Sequence, residues 1–271
     1  MSRTRIFSIL VFAAALAVFG IYKYQEFKTT DQVGPRITMG QESITVSVNA
    51  GEEELLSGIQ AVDKRDGDVS ESLLIESMSN FIEKGRRKIT VAAFDSGSHV
   101  TKASREIIYS DYQSPRFSLS APLRFPIGTQ DILSGMDVTD VLDGSLTDKI
   151  KISTDYSINT GTPGDYPMFF TVVNSAGDVV NLPVTVQIYD PAEERMKPQI
   201  ELSEYLVYAA AGSPINPAAY VREITGEGAS RENLLISQEI DYNTPGVYEV
   251  TYQVTGEGGT GMTRLIVVVS E

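Results

Sequence analysis

The chain has 271 residues, with 22 basic and 36 acidic side chains and a net charge of −14 at pH 7. A chain this acidic repels nucleic acid, whose binding needs clustered Lys and Arg, so we expect no nucleic-acid partner. Cysteine is absent, which excludes disulfides, thiol nucleophiles and thiolate zinc sites.

The first predicted element is an N-terminal membrane anchor. Residues 6–22 form an apolar run without a charge behind Arg3 and Arg5, close to the ~20 residues that cross a bilayer. We predict a short cytoplasmic tail and transmembrane signal anchor over residues 1–23, which places residues 24–271 outside a bacterial cytoplasmic membrane. Cleavage at the small-x-small sequence Ala15-Leu16-Ala17 is the alternative. Residues 24–33 are predicted to form a polar stalk.

Three repeats follow the stalk. Residues 55–69 read LLSGIQAVDKRDGDV and align without a gap with residues 132–146, ILSGMDVTDVLDGSL. Each repeat opens on a proline, at Pro35, Pro115 and Pro198. A period this long indicates tandem domains, because each copy can close its own core. We predict domains over residues 34–111, 112–192 and 193–271, termed the first, second and third repeats.

Each repeat carries the pattern of half-buried β-strands. Apolar residues alternate with polar ones, which gives a period of two. The clearest runs are Met168, Phe170 and Val172 in the second repeat and Val250, Tyr252 and Val254 in the third. Glycine turns separate the last two strands of each repeat, as a hairpin requires. Several short strands in about 80 residues predict an all-β fold of small sandwiches.

Three short motifs stand out in the repeats: Pro35-Arg36-Ile37, Asp66-Gly67-Asp68-Val69 and Pro245-Gly246-Val247-Tyr248. With these motifs the repeats resemble the bacterial immunoglobulin-like repeats of surface proteins, which are related to HYR and cadherin-like sandwiches. The resemblance covers residues 34–271. It implies three tandem immunoglobulin-like β-sandwiches behind one transmembrane helix. The third repeat departs from the pattern, with Thr225-Gly226-Glu227-Gly228 in place of the Asp-Gly element.

Aspartates recur at the Asp-Gly element and are the candidate site residues. The set comprises Asp63, Asp66 and Asp68 in the first repeat and Asp137, Asp140 and Asp143 in the second. The favoured interpretation is structural, because Asp-Gly makes a tight turn in which the carboxylate caps backbone amides. Calcium binding is the alternative, since calcium takes six to eight oxygen ligands. We predict no cofactor and no resident metal, with calcium left open.

The remaining polar features predict no catalytic site. His99 is the only histidine, so a histidine metal triad is impossible, and it is predicted to be a turn residue. The basic cluster Lys84, Arg86, Arg87 and Lys88 is predicted to be a solvated turn rather than a lipid contact. The sequence therefore predicts a protein that is not an enzyme.

Together these features predict a membrane-anchored extracellular protein of a bacterial surface that acts in adhesion or as a spacer and interaction module. Its expected partners are the membrane, through residues 6–22, and a protein or glycan ligand of the cell envelope or a host surface. A carbohydrate-binding accessory module is the alternative, although the absence of Trp removes the usual aromatic platform.

Overall fold

The computed structural model describes residues 3–29, 33–153 and 157–270, and the fold is mostly β. Helix α1 spans Arg3–Thr29. It contains a 22-residue apolar segment, Arg5–Glu26, that is long enough to cross a membrane and is not buried against protein. An apolar helix without a protein cover is what a membrane anchor or a signal sequence requires. The helix includes residues 24–29 of the predicted stalk.

The chain divides into two compact units, Met1–Ser110 and Asp111–Glu271. The body of the first unit consists of two sheets and a short helix, α2 (Glu52–Leu56). Its strands are β1 (Arg36–Met39), β2 (Ser43–Val46), β3 (Ile59–Asp63), β4 (Gly67–Asp68), β5 (Leu74–Glu83), β6 (Arg86–Phe94) and β7 (Val100–Tyr109). One sheet has the order β1-β3-β4 and the other β2-β7-β6-β5, with β2 parallel to β7.

The second unit contains a similar pair of sheets twice, with the smaller sheet reduced to two strands in the third repeat. The second repeat has strands β8 (Arg116–Leu119), β9 (Arg124–Pro126), β10 (Met136–Asp140), β11 (Gly144–Ser145), β12 (Lys151–Ile152), β13 (Gly164–Val173) and β14 (Val179–Tyr189). Its sheets have the orders β11-β10-β8 and β12-β13-β14-β9. The short helix α3 (Pro191–Glu194) leads into the third repeat.

The third repeat is built from β15 (Gln199–Leu202), β16 (Leu206–Ala210), β17 (Val221–Thr225), β18 (Leu234–Gln238), β19 (Gly246–Gly256) and β20 (Gly259–Ser270). Its sheets are β15-β17 and β16-β20-β19-β18. The predicted last hairpins are confirmed as β6–β7, β13–β14 and β19–β20. The predicted alternation is also confirmed, because Met168, Phe170 and Val172 point into one core and Val250, Tyr252 and Val254 into another.

Strand β20 is buried on both of its faces. Leu265, Val267 and Val269 belong to the core of the third repeat, whereas Ile266 is part of the core cluster of the second repeat. A strand covered on both sides is continuously apolar rather than alternating, and residues 265–269 read LIVVV. The second and third repeats therefore share an apolar interface inside the second unit.

Candidate functional site

The Asp-Gly element of the first repeat is a tight turn held by Asp63. The Oδ1 of Asp63 accepts the backbone amides of Arg65 at 2.7 Å and Asp66 at 2.9 Å. These amides, first that of Asp66 and then that of Arg65, hold the pKa of Asp63 below its usual range. Gly67 follows at φ +77°, a conformation that favours glycine. The turn-forming role predicted for this aspartate is confirmed.

Asp66 connects this turn to the β6–β7 hairpin, and a further carboxylate, Asp95, lies within that hairpin. Asp66 Oδ2 accepts the amide of Ser96 at 2.8 Å. Asp95 is only 6% exposed and accepts the amide of His99 at 2.8 Å, while its other oxygen lies 2.8 Å from the His99 ring. Burial opposes ionisation of Asp95, but the bonds from His99 outweigh it and hold its pKa below the usual range. His99 does lie in a turn, where its imidazole orients a buried carboxylate.

The first repeat thus assembles three carboxylates at one end of its sheets. Oxygens of Asp63, Asp66 and Asp95 lie within 4.8 Å of one another. These residues could hold a cation, although three carboxylates supply only part of the six to eight oxygens that calcium takes. Asp68, grouped with them in the sequence, instead binds the hydroxyl of Ser70 at 2.6 Å. Asp95 was not among the predicted site residues, because it lies about 30 residues beyond the Asp-Gly motif.

The second repeat keeps the turn. Asp140 Oδ1 accepts the amides of Leu142 and Asp143, each at 2.9 Å. Asp143 binds the next hairpin through the Ser175 amide and hydroxyl, each at 2.6 Å. Asp137 lies apart from this turn, where it accepts the hydroxyl of Thr147 at 3.3 Å.

In the second repeat, an asparagine takes the place that the third carboxylate has in the first repeat. Asn174 stands where the first repeat has Asp95, and its amide nitrogen donates to Asp140 Oδ2 at 3.2 Å. The same nitrogen donates to the Tyr112 hydroxyl at 2.8 Å, and that hydroxyl donates to Asp178 at 2.7 Å. The donors and acceptors of this cluster therefore pair with one another. Because an amide N–H2 group faces the buried carboxylate, the cluster does not fit a cation.

The third repeat makes the corresponding connection with its main chain. The carbonyl of Glu227 accepts the amide of Glu257 at 2.8 Å, which joins the Thr-Gly-Glu-Gly segment to the β19–β20 hairpin. The side-chain carboxylates of the Asp-Gly element are therefore dispensable for this link.

A second candidate site is the interface between the second and third repeats. The hydroxyl of Tyr208 accepts the amide of Phe117 at 2.9 Å and lies 3.3 Å from the carbonyl of the same residue. It therefore provides a hydrogen-bond partner for backbone groups at the edge of strand β8. The guanidinium of Arg116 lies 3.9 Å from the centre of the Tyr208 ring. Burial raises the pKa of Tyr208 above its usual alkaline range, so the hydroxyl that faces Phe117 is protonated at neutral pH with or without the shift.

Charged side chains surround this apolar contact. Arg124 forms an ion pair with Glu194 at the end of α3 and donates to Gln187 at 2.6 Å. Glu194 also binds Lys197 at 2.7 Å. Burial raises the pKa of Glu194, but the bonds from Lys197 and Arg124 outweigh it and the pKa lies below its ordinary value. The segment that connects the two repeats is thus fixed to the second repeat.

The predicted basic cluster is only partly solvated. Arg87 donates to the hydroxyl of Tyr109 and lies over its ring, and Arg86 pairs with Glu106 at 3.2 Å. Lys84 and Lys88 are exposed. The turn prediction is therefore confirmed for Lys84, whereas Arg86, Arg87 and Lys88 lie in strand β6.

No family model matches the chain. The chain is 26% identical over 188 residues to an uncharacterized 81.3 kDa protein of Acholeplasma phage L2, a match that covers 64% of this chain and 23% of that protein. It therefore spans about a quarter of that relative.

Among solved structures, the chain matches a lipoprotein from Bacteroides thetaiotaomicron at 12% sequence identity. The match covers 56% of this chain and 98% of that chain, with a TM-score of 0.25. It also matches the protocadherin GammaB4 extracellular domain at 12% sequence identity. That match covers 89% of this chain and 50% of that chain, with a TM-score of 0.20. Overlaps this loose carry no structural argument, so the fold rests on the sheet pairing of the chain itself.

Proposed function

We propose that the chain is a membrane-anchored protein of a bacterial surface whose three immunoglobulin-like β-sandwiches act as a spacer and interaction module. The observation that carries this proposal is helix α1, whose 22 apolar residues are unburied and precede a body made almost entirely of sheets. An apolar helix of this kind is stable only in lipid, so the sheets that follow would be held at a membrane surface.

The interface between the second and third repeats supports the spacer role. Shared apolar side chains and the Arg124–Glu194 ion pair make the second unit one compact body. A body of this kind resists bending, which suits a protein that holds a binding surface away from lipid. The proposal includes no enzyme activity, and the aspartates serve as turn formers without a cofactor.

The absence of natural cysteines allows a direct test of this topology. A single cysteine placed at Leu235, which is 68% exposed, should react with a membrane-impermeant maleimide in intact cells. A cysteine placed at Thr4 in the short tail should react only after the membrane is permeabilised. Labelling of the Thr4 cysteine but not the Leu235 cysteine in intact cells would invert the topology and refute the proposal.

A carbohydrate-binding accessory role is the second candidate. A polar groove of about 410 Å³ lies between loops of the second and third repeats, lined by Ser118, Ser120, Ser203 and Glu204 among others. Hydroxyls and carboxylates are the groups that bind sugar hydroxyls. Binding of a cell-wall glycan by the full chain, lost in Glu204→Ala, would favour this role over that of a protein-binding spacer.

A further inference from the structure

Strand β18 is the outer strand of the four-stranded sheet of the third repeat. It ends the strand order β16-β20-β19-β18, so one of its edges pairs with β19. Among the described residues of the second unit, no strand pairs with its other edge. Alternate residues of an edge strand direct their amides and carbonyls away from the sheet, where another extended chain can pair with them. The free edge of β18 therefore has backbone donors and acceptors that the second unit does not pair.

The corresponding edge strands of the other two repeats are protected against such pairing. Proteins blunt sheet edges with short strands, charged side chains and bulges. Strand β5 has three register shifts in its pairing with β6 and contains Glu76 and Glu83. Strand β12 pairs two residues with β13, Lys151 and Ile152, and one of them is charged. Both strands are therefore poor templates for an added strand.

Strand β18 has none of these protections. Its five residues, Leu234–Gln238, pair with β19 without a register shift. Their sequence, LLISQ, contains neither a charge nor a proline. Leu234 and Ile236 are partly buried and pack against the core of the third repeat, whereas Leu235 is 68% exposed on the other face. Because side chains of a strand alternate between two faces, a strand added beside β18 extends this core with every second residue.

Acidic side chains flank this edge. Glu232 precedes β18 and Glu239 follows it, and both are exposed. Asp241 is also exposed, but its carboxylate caps the turn that follows. Arg231 is the only basic residue between positions 231 and 242, and its guanidinium donates to the carbonyl of Val221. The charge available beside the edge is therefore negative, which favours a partner segment that carries Lys or Arg.

We propose that the free edge of β18 binds an extended segment of a separate protein, which adds a fifth strand to the sheet of the third repeat. Backbone hydrogen bonds hold the segment, its alternate apolar residues cover Leu234 and Ile236, and a basic residue faces Glu232 or Glu239. A second copy of this chain suits the edge less well, because its net charge of −14 opposes the approach of two copies. The inference rests on the proposed function, since it names the chemistry of the partner that the interaction module binds.

The first test uses the full chain in the membrane of intact cells, with a photoreactive benzoylphenylalanine at the exposed Ser237 of β18. The control carries the same group at Val179, which is 51% exposed but lies on β14, an inner strand of the second repeat. We expect an adduct of one defined mass from Ser237 and none from Val179. Leu235→Lys places a charge in the edge strand and should abolish the adduct, whereas Val179→Lys should leave it unchanged.

The second test distinguishes strand addition from contact through side chains. A synthetic peptide with the sequence of the cross-linked segment is titrated into the full chain in detergent micelles, and hydrogen exchange is followed at residues 234–238. The peptide should slow the exchange of alternate amides in this segment. Two forms of the peptide, N-methylated at even or at odd positions, keep their side chains and lose alternate backbone donors. One form should lose binding and the other should keep it, because only every second amide of an added strand faces β18.

Four results would overturn the inference. They are no adduct from Ser237, an adduct that survives in a folded Leu235→Lys protein, an adduct to the first unit of this chain or to a second copy, and equal binding of the two N-methylated peptides. Failure of these tests while a cysteine at Leu235 is still labelled from outside leaves the proposed function intact, because that labelling reports the exposed sheet face and not the pairing of the edge.

Discussion

Tyr208→Phe tests whether the second and third repeats are joined in solution. The substitution keeps the ring and removes one hydroxyl, which pairs with both the amide and the carbonyl of Phe117. Phe117 is 2% exposed, so water cannot readily replace the lost partner. A buried backbone group left unpaired costs about 1–3 kcal/mol. At roughly 2–4 °C per kcal/mol for a body of this size, a loss of about 2 kcal/mol lowers the melting temperature by about 4–8 °C.

The matched control is Tyr248→Phe. Its hydroxyl donates to the carbonyl of Thr244 at 2.9 Å in an exposed position, where water can take over, so the expected loss is below about 1 kcal/mol. Differential scanning calorimetry of the full chain in detergent micelles measures both variants against the wild type. Equal melting temperatures for the two variants would refute the reasoning, because the interface would then contribute nothing to the stability of the second unit.

Two further predictions concern the aspartate clusters and the link between repeats. Asn174→Asp removes the donor to Asp140 and should destabilise the second unit by roughly 1–3 kcal/mol in urea unfolding. Asp95→Asn should destabilise the first unit as well, because the pKa of Asp95 is lowered in the folded chain and the ionised carboxylate is the form that His99 stabilises. Calcium should not raise the melting temperature; a rise that Asp95→Asn abolishes would make the first cluster a metal site. The pKa of Glu194 is lower in the folded than in the unfolded chain, so its stabilisation is present above the unfolded pKa and is lost as pH falls through the folded one. Glu194→Gln should therefore flatten the acid side of the stability profile below the unfolded pKa of the glutamate, and an unchanged profile would contradict this role.

The strands and hairpins could be predicted because local patterns determine them. Alternation at Met168, Phe170 and Val172 indicates a strand with one buried face, and glycine between two such runs indicates a hairpin. The Asp-Gly element also specifies its own turn, through Asp63 and its two amides. Each of these features depends on residues close together in the sequence.

The clusters and the interface depend on residues far apart, and the sequence prediction missed them. Asp95 meets Asp63 only after two sheets have packed, although the alignment of Asp95-Ser96 with Asn174-Ser175 marks the position as variable between repeats. The run of five apolar residues at 265–269 was a signal for a strand covered on both faces. It was interpreted only as a last strand, because periodicity within one repeat does not reveal a neighbour.

Differences between the repeats carry more functional information than their common fold. The turn is linked to its neighbouring hairpin through Asp66 in the first repeat, through Asp143 and Asn174 in the second and through the main chain in the third. Arg105, buried in the first repeat, likewise stands where the second and third repeats have Val184 and Leu265, by its register opposite β6. Because the fold tolerates all of these solutions, neither the acidic cluster of the first repeat nor its buried arginine is demanded by folding. Features that sister repeats lack are therefore the first place to look for a function particular to one repeat.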